Sequence, residues 1–185
     1  SRYDLQLSTD GPLGWAGRVA PEKGLEDAAS VAAGLGERLR VWGFVEDDSY
    51  ARRVESAVPA GTIEWCGFKP TSELQRELGG CRALLNTPKW NEAYGNVVVE
   101  ALACGVPVIA YDRGGPGEII QSGETGWLVP PDDRDALAEA TLRVSSIDRH
   151  ACRHWVERCA SQEGLAARVE AWIRKGLKPA DGTIT

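Results

Sequence analysis

Residues 90 to 110 read W-N-E-A-Y-G-N-V-V-V-E-A-L-A-C-G-V-P-V-I-A. Two glutamates, Glu92 and Glu100, bracket a Tyr94-Gly95-Asn96 turn that runs straight into an apolar segment. From Val97 to Cys104 every residue except Glu100 is apolar, which predicts a helix buried around most of its circumference. A carboxylate on such a helix is costly unless something hydrogen-bonds to it. The preceding turn leaves the backbone N–H groups of the helix N-terminus free, and these favour an anion. A nucleotide fits that pattern, with its diphosphate at the helix tip and its ribose diol on Glu100. A structural glutamate satisfied by neighbouring backbone or an arginine fits it as well, and spacing alone leaves both readings open.

Working outward, the flanking sequence alternates short apolar runs with helical patterns. Strands are expected at residues 13–18, 39–44, 62–68, 83–87, 106–111 and 127–129. Between them, helices are expected at about 24–36, where Leu25, Ala28, Ala29, Ala32 and Leu35 keep helical spacing, and at about 48–57. A short helix capped by Thr71 and stopped at Gly79-Gly80 follows, then another near 118–121 after Gly114-Gly115-Pro116-Gly117. Pro130-Pro131-Asp132 opens a helix to about 144, and segments at roughly 148–159 and 162–176 close the chain. Residues 1–12 are polar, end in Asp10-Gly11-Pro12 and read as a linker, leaving 13–185 as one domain.

Six strands alternating with helices indicate an α/β domain with a parallel sheet, doubly wound and Rossmann-like, in the order 3-2-1-4-5-6 with helices on both faces. Its ligand crevice then lies between strands one and four, where the order reverses. The loop after strand one carries Arg18 and Lys23, and the loop after strand four carries Glu92 to Val97. Two cations facing a helix N-terminus make a diphosphate clamp, Arg as a bidentate fork and Lys as a point charge.

These residues carry a resemblance. Glu92, seven intervening residues and Glu100, with the Gly95 turn and the continuation into P-V-I-A, resemble the E-x7-E signature of glycosyltransferase family 4, retaining GT-B enzymes that use nucleotide sugars. G-R-V-A-P-E-K-G at 17–24 resembles that family's G-R-x-x-x-x-K-G element. C-G-F at 66–68, G-G-P-G-E-I-I at 114–120 and T-G-W-L-V-P-P-D-D at 125–133 extend the likeness from residue 13 to about 143. Ala93 departs from the usual Gly or Pro, and Asn96 from the common aliphatic residue. Asn96 either donates to a phosphate oxygen or starts the helix, which bears on donor specificity rather than on fold.

The resemblance implies sugar transfer from a nucleoside diphosphate sugar, a UDP-sugar above others, with retention at the anomeric carbon. Arg18, Lys23 and the Gly95 to Val97 amides would stabilise the leaving diphosphate without a metal or other cofactor. Glu92 would hold the donor-sugar hydroxyls, Glu100 the ribose, and backbone near Phe68 and Lys69 the base; Ala93 and Tyr94 complete the donor loop. Catalytic roles fall to Arg18, Lys23 and Glu92. No side chain is an obvious nucleophile for a double displacement, and the resemblance implies a front-face mechanism guided by the leaving phosphate. Neutralising Glu92 is expected to leave a free nucleoside diphosphate nearly unaffected. The likeness covers only the C-terminal, donor-binding half of a GT-B enzyme. An N-terminal acceptor domain is expected before residue 1 as its partner, with any peripheral membrane contact lying there, and the 185 residues alone are expected to transfer nothing. A non-catalytic nucleotide-sugar-binding module, and half of a GT-B epimerase or phosphorylase, are the alternatives.

Bulk properties set further bounds. The chain has 185 residues and a formal net charge of −6 with no basic stripe, which argues against nucleic acid as a partner. It contains no Met and begins Ser1-Arg2-Tyr3, as expected of an excised, processed or engineered piece. Five Cys without a C-x-x-C pair read as reduced core thiols of a cytoplasmic protein, and no apolar run reaches membrane-spanning length. A Rossmann dehydrogenase is disfavoured, since G-x-G-x-x-G is missing after strand one. Asp133-Arg134-Asp135 is formally Asp-x-Asp but follows two prolines at a helix start, so capping is the expected role. His150 and His154, four apart near Cys152, have the spacing of metal ligands but polar surroundings that favour a solvated face. Trp15, Trp42 and Trp65, on adjacent strands, are expected to pack in the core, whereas Trp90 could flank the donor sugar.

Overall fold

The computed structural model describes residues 3–161 together with 164, 166, 169 and 170. Six parallel strands form one sheet in the order β3-β2-β1-β4-β5-β6. They are β1 Leu13–Ala16, β2 Leu39–Trp42, β3 Ile63–Gly67, β4 Ala83–Asn86, β5 Val108–Tyr111 and β6 Gly126–Val129. The helices are α1 Leu25–Gly34, α2 Asp48–Ser56, α3 Thr71–Gly79, α4 Asn96–Ala103, α5 Gly115–Ile119, α6 Arg134–Leu142 and α7 Arg149–Cys159. The expected architecture and strand order are those observed. Most of the helix expected at 162–176 lies outside the described residues.

The central strands L-G-W-A and V-I-A-Y are buried at every position, the pattern of a parallel sheet covered on both faces. Leu25 and Ala28 of α1, Tyr50 of α2 and Leu137 of α6 join one apolar cluster. Leu78 of α3, Val98 and Leu102 of α4, and Trp155 of α7 join the other. The tryptophans divide between these faces. Trp15, Val41 and Trp65 lie in register across three strands on one face, while Trp42, the next residue along, points to the other. Trp15 and Trp42 are buried and Trp65 is half-buried against the core.

Several boundaries differ from expectation for identifiable reasons. The strand expected from 106 begins at Val108, because Gly105 (φ 80°) ends α4 and the Val106 N–H turns back to the Ala101 carbonyl at 2.9 Å. Thr71 is the first residue of α3 rather than its cap: Pro70 holds the cap position, and no side chain caps there. The helix expected at 118–121 forms earlier, over α5, because the Gly115 N–H bonds to the Glu92 carbonyl at 2.7 Å and starts the turn there. Asp133 caps α6 by accepting from the Ala136 N–H at 2.9 Å, which is the capping role expected of the Asp-x-Asp.

Residues 3–6 are packed against the domain. The Gln6 N–H bonds to the Cys104 carbonyl at 3.0 Å, and Arg153 of α7 donates to the Tyr3 carbonyl at 2.7 Å. Arg149 donates to the carbonyls of Gln6, Gly79 and Cys81, so one buried guanidinium ties this segment to the end of α3. Cys81, Cys104 and Cys152 are buried free thiols, and Cys66 and Cys159 are half-buried.

Candidate active site

At the C-terminal ends of β1 and β4, where the strand order reverses, a cleft of about 490 Å³ opens. Two glycines shape its lips. Gly24 (φ 66°) lets the β1 loop touch the β4 loop, since a Cβ there would lie 2.0 Å from the Thr87 carbonyl oxygen. The Thr87 hydroxyl donates to the Gly24 carbonyl at 2.7 Å and fixes that approach. Gly95 (φ 89°) is the left-handed N-cap of α4, a conformation costly for any residue with a Cβ. It aims the first turn of α4 at the cleft, where N–H groups have no carbonyl one turn back to bond.

Of the residues singled out from sequence, Arg18, Lys23, Phe68, Lys69, Glu92, Gly95, Asn96, Val97 and Glu100 all line this cleft. Ala93 and Tyr94 do not. Their turn packs against the Gly114-Gly115 loop, and both residues are exposed. Trp90 is also outside the lining; it stands half-exposed beside Lys23, whose Nζ lies 4.8 Å from the ring centroid.

The cations meet carboxylates in the same place. Lys23 Nζ is 2.5 Å from Glu92 Oε2, and both side chains are largely buried. Trp90 Nε1 donates to that oxygen at 3.3 Å. Arg18 bridges Glu22 and Glu46, the latter at 2.5 Å, in an open setting. The main chain of Glu92 is pinned by the Gly115 N–H and by a bridge to Gly114.

Glu100 faces the cleft from the first turns of α4. Burial raises its carboxyl above the usual range, partly offset by the Tyr3 hydroxyl, which donates to Oε1 at 3.2 Å. Neither backbone nor arginine, the partners of the structural reading, supplies this bond. At the rim, Phe68 is 77% exposed after β3, and Lys69 is drawn toward Glu73 and Glu77.

Sequence reading missed several contributors, among them Phe44, Asn86 and Tyr3. Phe44, 66% exposed after β2, lines the cleft from the strand end next to that of Phe68. Asn86, the last residue of β4, presents a buried Oδ1 with no hydrogen-bond partner among the described residues. Tyr3 reaches Glu100 across 97 positions. Only Asn86 had a signal to find it, as a polar residue ending an apolar strand next to the crevice. No group of three or more His, Cys, Asp or Glu among the described residues could hold a metal ion. His150 and His154 are exposed on α7. No helix among the described residues is long and apolar enough to cross a membrane.

Known proteins share both the sequence and the fold. The chain is 36% identical over 118 residues to a GDP-mannose-dependent alpha-mannosyltransferase of Mycobacterium tuberculosis, covering 64% of this chain and 30% of that protein. It is 33% identical over 147 residues to a 2-deoxystreptamine N-acetyl-D-glucosaminyltransferase of Streptomyces fradiae, covering 75% and 35%. It thus spans well under half the length of these curated relatives. Among solved structures, AviGT4, a glycosyltransferase involved in avilamycin A biosynthesis, matches with a TM-score of 0.81 at 26% identity, over 97% of this chain and 56% of that one. Anabaena HepE, solved with UDP-glucose, matches in fold with a TM-score of 0.73 at 18% identity, over 88% and 49%. The family described as glycosyl transferases group 1 matches residues 13–162, a stretch that runs through all six strands and both lips of the cleft, and the chain belongs to it.

Proposed function

We propose that this chain is the donor-binding, C-terminal part of a retaining glycosyltransferase of family 4, and that its cleft takes a nucleoside diphosphate sugar. The observation that carries this reading is the convergence of Arg18, Lys23 and the N-terminal turn of α4 on one cleft at the strand-order reversal. Residues 77 positions apart thereby form one anion-binding surface. In this reading Arg18, Lys23 and the Gly95 to Val97 amides hold the diphosphate and stabilise the charge that builds on it as the sugar leaves. These groups supply the positive charge themselves, so binding needs no divalent metal.

Glu100 accepts from the ribose diol, and Glu92 orients the sugar hydroxyls. Orientation of the anomeric carbon matters most in the transition state, so Glu92 acts chiefly on turnover. Backbone at Phe68 and Lys69 reads the base, and Asn86 Oδ1 offers an acceptor inside the cleft. The acceptor sugar or aglycone is held by a separate domain, in keeping with relatives much longer than this chain. The donor is a UDP-sugar or, as the mannosyltransferase relative's name suggests, a GDP-sugar. Titration of the chain with UDP, UDP-glucose, GDP and GDP-mannose tests the reading; saturable 1:1 binding of one base series supports it, and absence of binding by all four refutes it.

A further inference from the structure

The cations of the cleft are already paired, and the pairs are unequal. Arg18, Glu22 and Glu46 have side-chain exposures of 47%, 38% and 47%, so their bridges are solvent-screened and exchange readily. Lys23 and Glu92 are only 20% and 17% exposed, in contact at 2.5 Å, with the Trp90 indole donating to the same carboxylate oxygen and its ring facing the ammonium. A phosphate that draws on Lys23 competes with Glu92 for one ammonium and sets a second anion beside the carboxylate. Because the main chain of Glu92 is fixed by Gly114 and Gly115, the carboxylate can yield only by rotating its side chain within the cleft. A largely buried carboxylate that loses its ammonium and gains nothing is left with an uncompensated charge beside an incoming anion.

We propose that Glu92 discriminates the intact sugar nucleotide from the bare nucleoside diphosphate by competing for Lys23. The inference rests on the donor-binding reading of the cleft. A bare diphosphate weakens the Lys23–Glu92 pair and offers Glu92 no donor in exchange. A sugar nucleotide weakens the same pair and supplies hydroxyl donors to the carboxylate. Glu92 therefore disfavours the leaving diphosphate, which helps to clear product after each turnover. The expectation that neutralising Glu92 leaves a nucleoside diphosphate unaffected changes accordingly: neutralising it releases Lys23 and strengthens binding of the bare diphosphate.

The test is calorimetric titration of wild type, Glu92→Gln, Glu92→Ser, Lys23→Met and the Lys23→Met/Glu92→Gln double variant with UDP, UDP-glucose, GDP and GDP-mannose. Circular dichroism verifies folding of each. In the base series that binds, Glu92→Gln should tighten the bare diphosphate about tenfold, the scale of one charge-assisted bond. The sugar nucleotide should hold steady or weaken, so the preference between the two ligands collapses. Glu92→Ser should act in the same direction. In the Lys23→Met background the Glu92 substitution should give a clearly smaller gain, because competition for the ammonium is gone and only charge repulsion of the diphosphate is left to relieve; an undiminished gain there overturns the inference. Unchanged or weaker diphosphate binding in both Glu92 variants overturns the inference while leaving the donor-binding reading intact. Absence of binding by all four ligands to wild type and Glu92→Gln overturns both.

Discussion

In the proposed reading, Glu100 is the residue at which stability and binding pull in opposite directions. Its carboxyl is raised by burial, and the Tyr3 hydroxyl lowers it only in part. A carboxyl raised in the folded state favours its protonated form there. Its contribution to stability is therefore present at low pH and lost as pH rises through the folded value. Glu100→Gln should melt above wild type at pH 8, with the gap closing as pH falls into the usual carboxylate range. The same substitution should weaken a nucleoside diphosphate and its sugar conjugate alike, by roughly 1–3 kcal/mol. A lower melting temperature at pH 8 would instead mark Glu100 as a structural carboxylate.

The proposed diphosphate clamp belongs to this scale too. Arg18→Ala and Lys23→Ala should each cost about 1.5–3 kcal/mol of diphosphate affinity, the range for hydrogen bonds to charged groups. The double variant should lose less than the sum, since both cations address one pair of phosphates; titration of the three proteins decides it. Arg18, Lys23, Glu92 and Glu100 were legible as lining of the cleft because each sits in a short motif of fixed spacing. Their partners were not. Glu46 reaches Arg18 across 28 positions and Tyr3 reaches Glu100 across 97, separations that only the packed fold brings into contact.

At the scale of elements, the glycine that opens α4 sets how that helix enters the cleft. Gly95 has room for a methyl group, whose nearest neighbour would be a Val98 carbon at 3.4 Å, but its backbone is left-handed. Gly95→Ala should cost about 1–2 kcal/mol of stability from conformation alone, read as a shifted denaturation midpoint at constant slope. Diphosphate affinity should fall with it as the first N–H groups of α4 turn from the cleft. Helix and strand identities followed from periodicity, so the six strands were legible before the structure; their order came from the doubly wound pattern such an alternation adopts, not from periodicity. The displaced starts were set by tertiary hydrogen bonds. Gly115 begins α5 because its N–H meets the Glu92 carbonyl, a contact that local propensity does not encode. The segment before β1, read as a linker from its polar composition, is packed at residues 3–6 through Arg149 and Arg153, two cations more than 140 positions away.

For the whole molecule, two apolar clusters on opposite faces hold the sheet, and the crevice falls where strand order reverses between them. The thiols report on that packing. Cys81, Cys104 and Cys152 are each pushed up to about 12 by burial. In the native chain at pH 8, iodoacetamide should therefore modify Cys66 and Cys159 first and leave those three intact until denaturant is added, as read by mass spectrometry.

The central claim is that this crevice binds a nucleoside diphosphate through its own cations and helix N-terminus. Isothermal titration with UDP-glucose and GDP-mannose, each with magnesium and with excess EDTA, tests it most directly. The account predicts 1:1 binding of one sugar nucleotide with the same affinity in both buffers, abolished or strongly weakened when Arg18 and Lys23 are both replaced by alanine. Binding that disappears with EDTA, or that survives the double replacement unchanged, would contradict it.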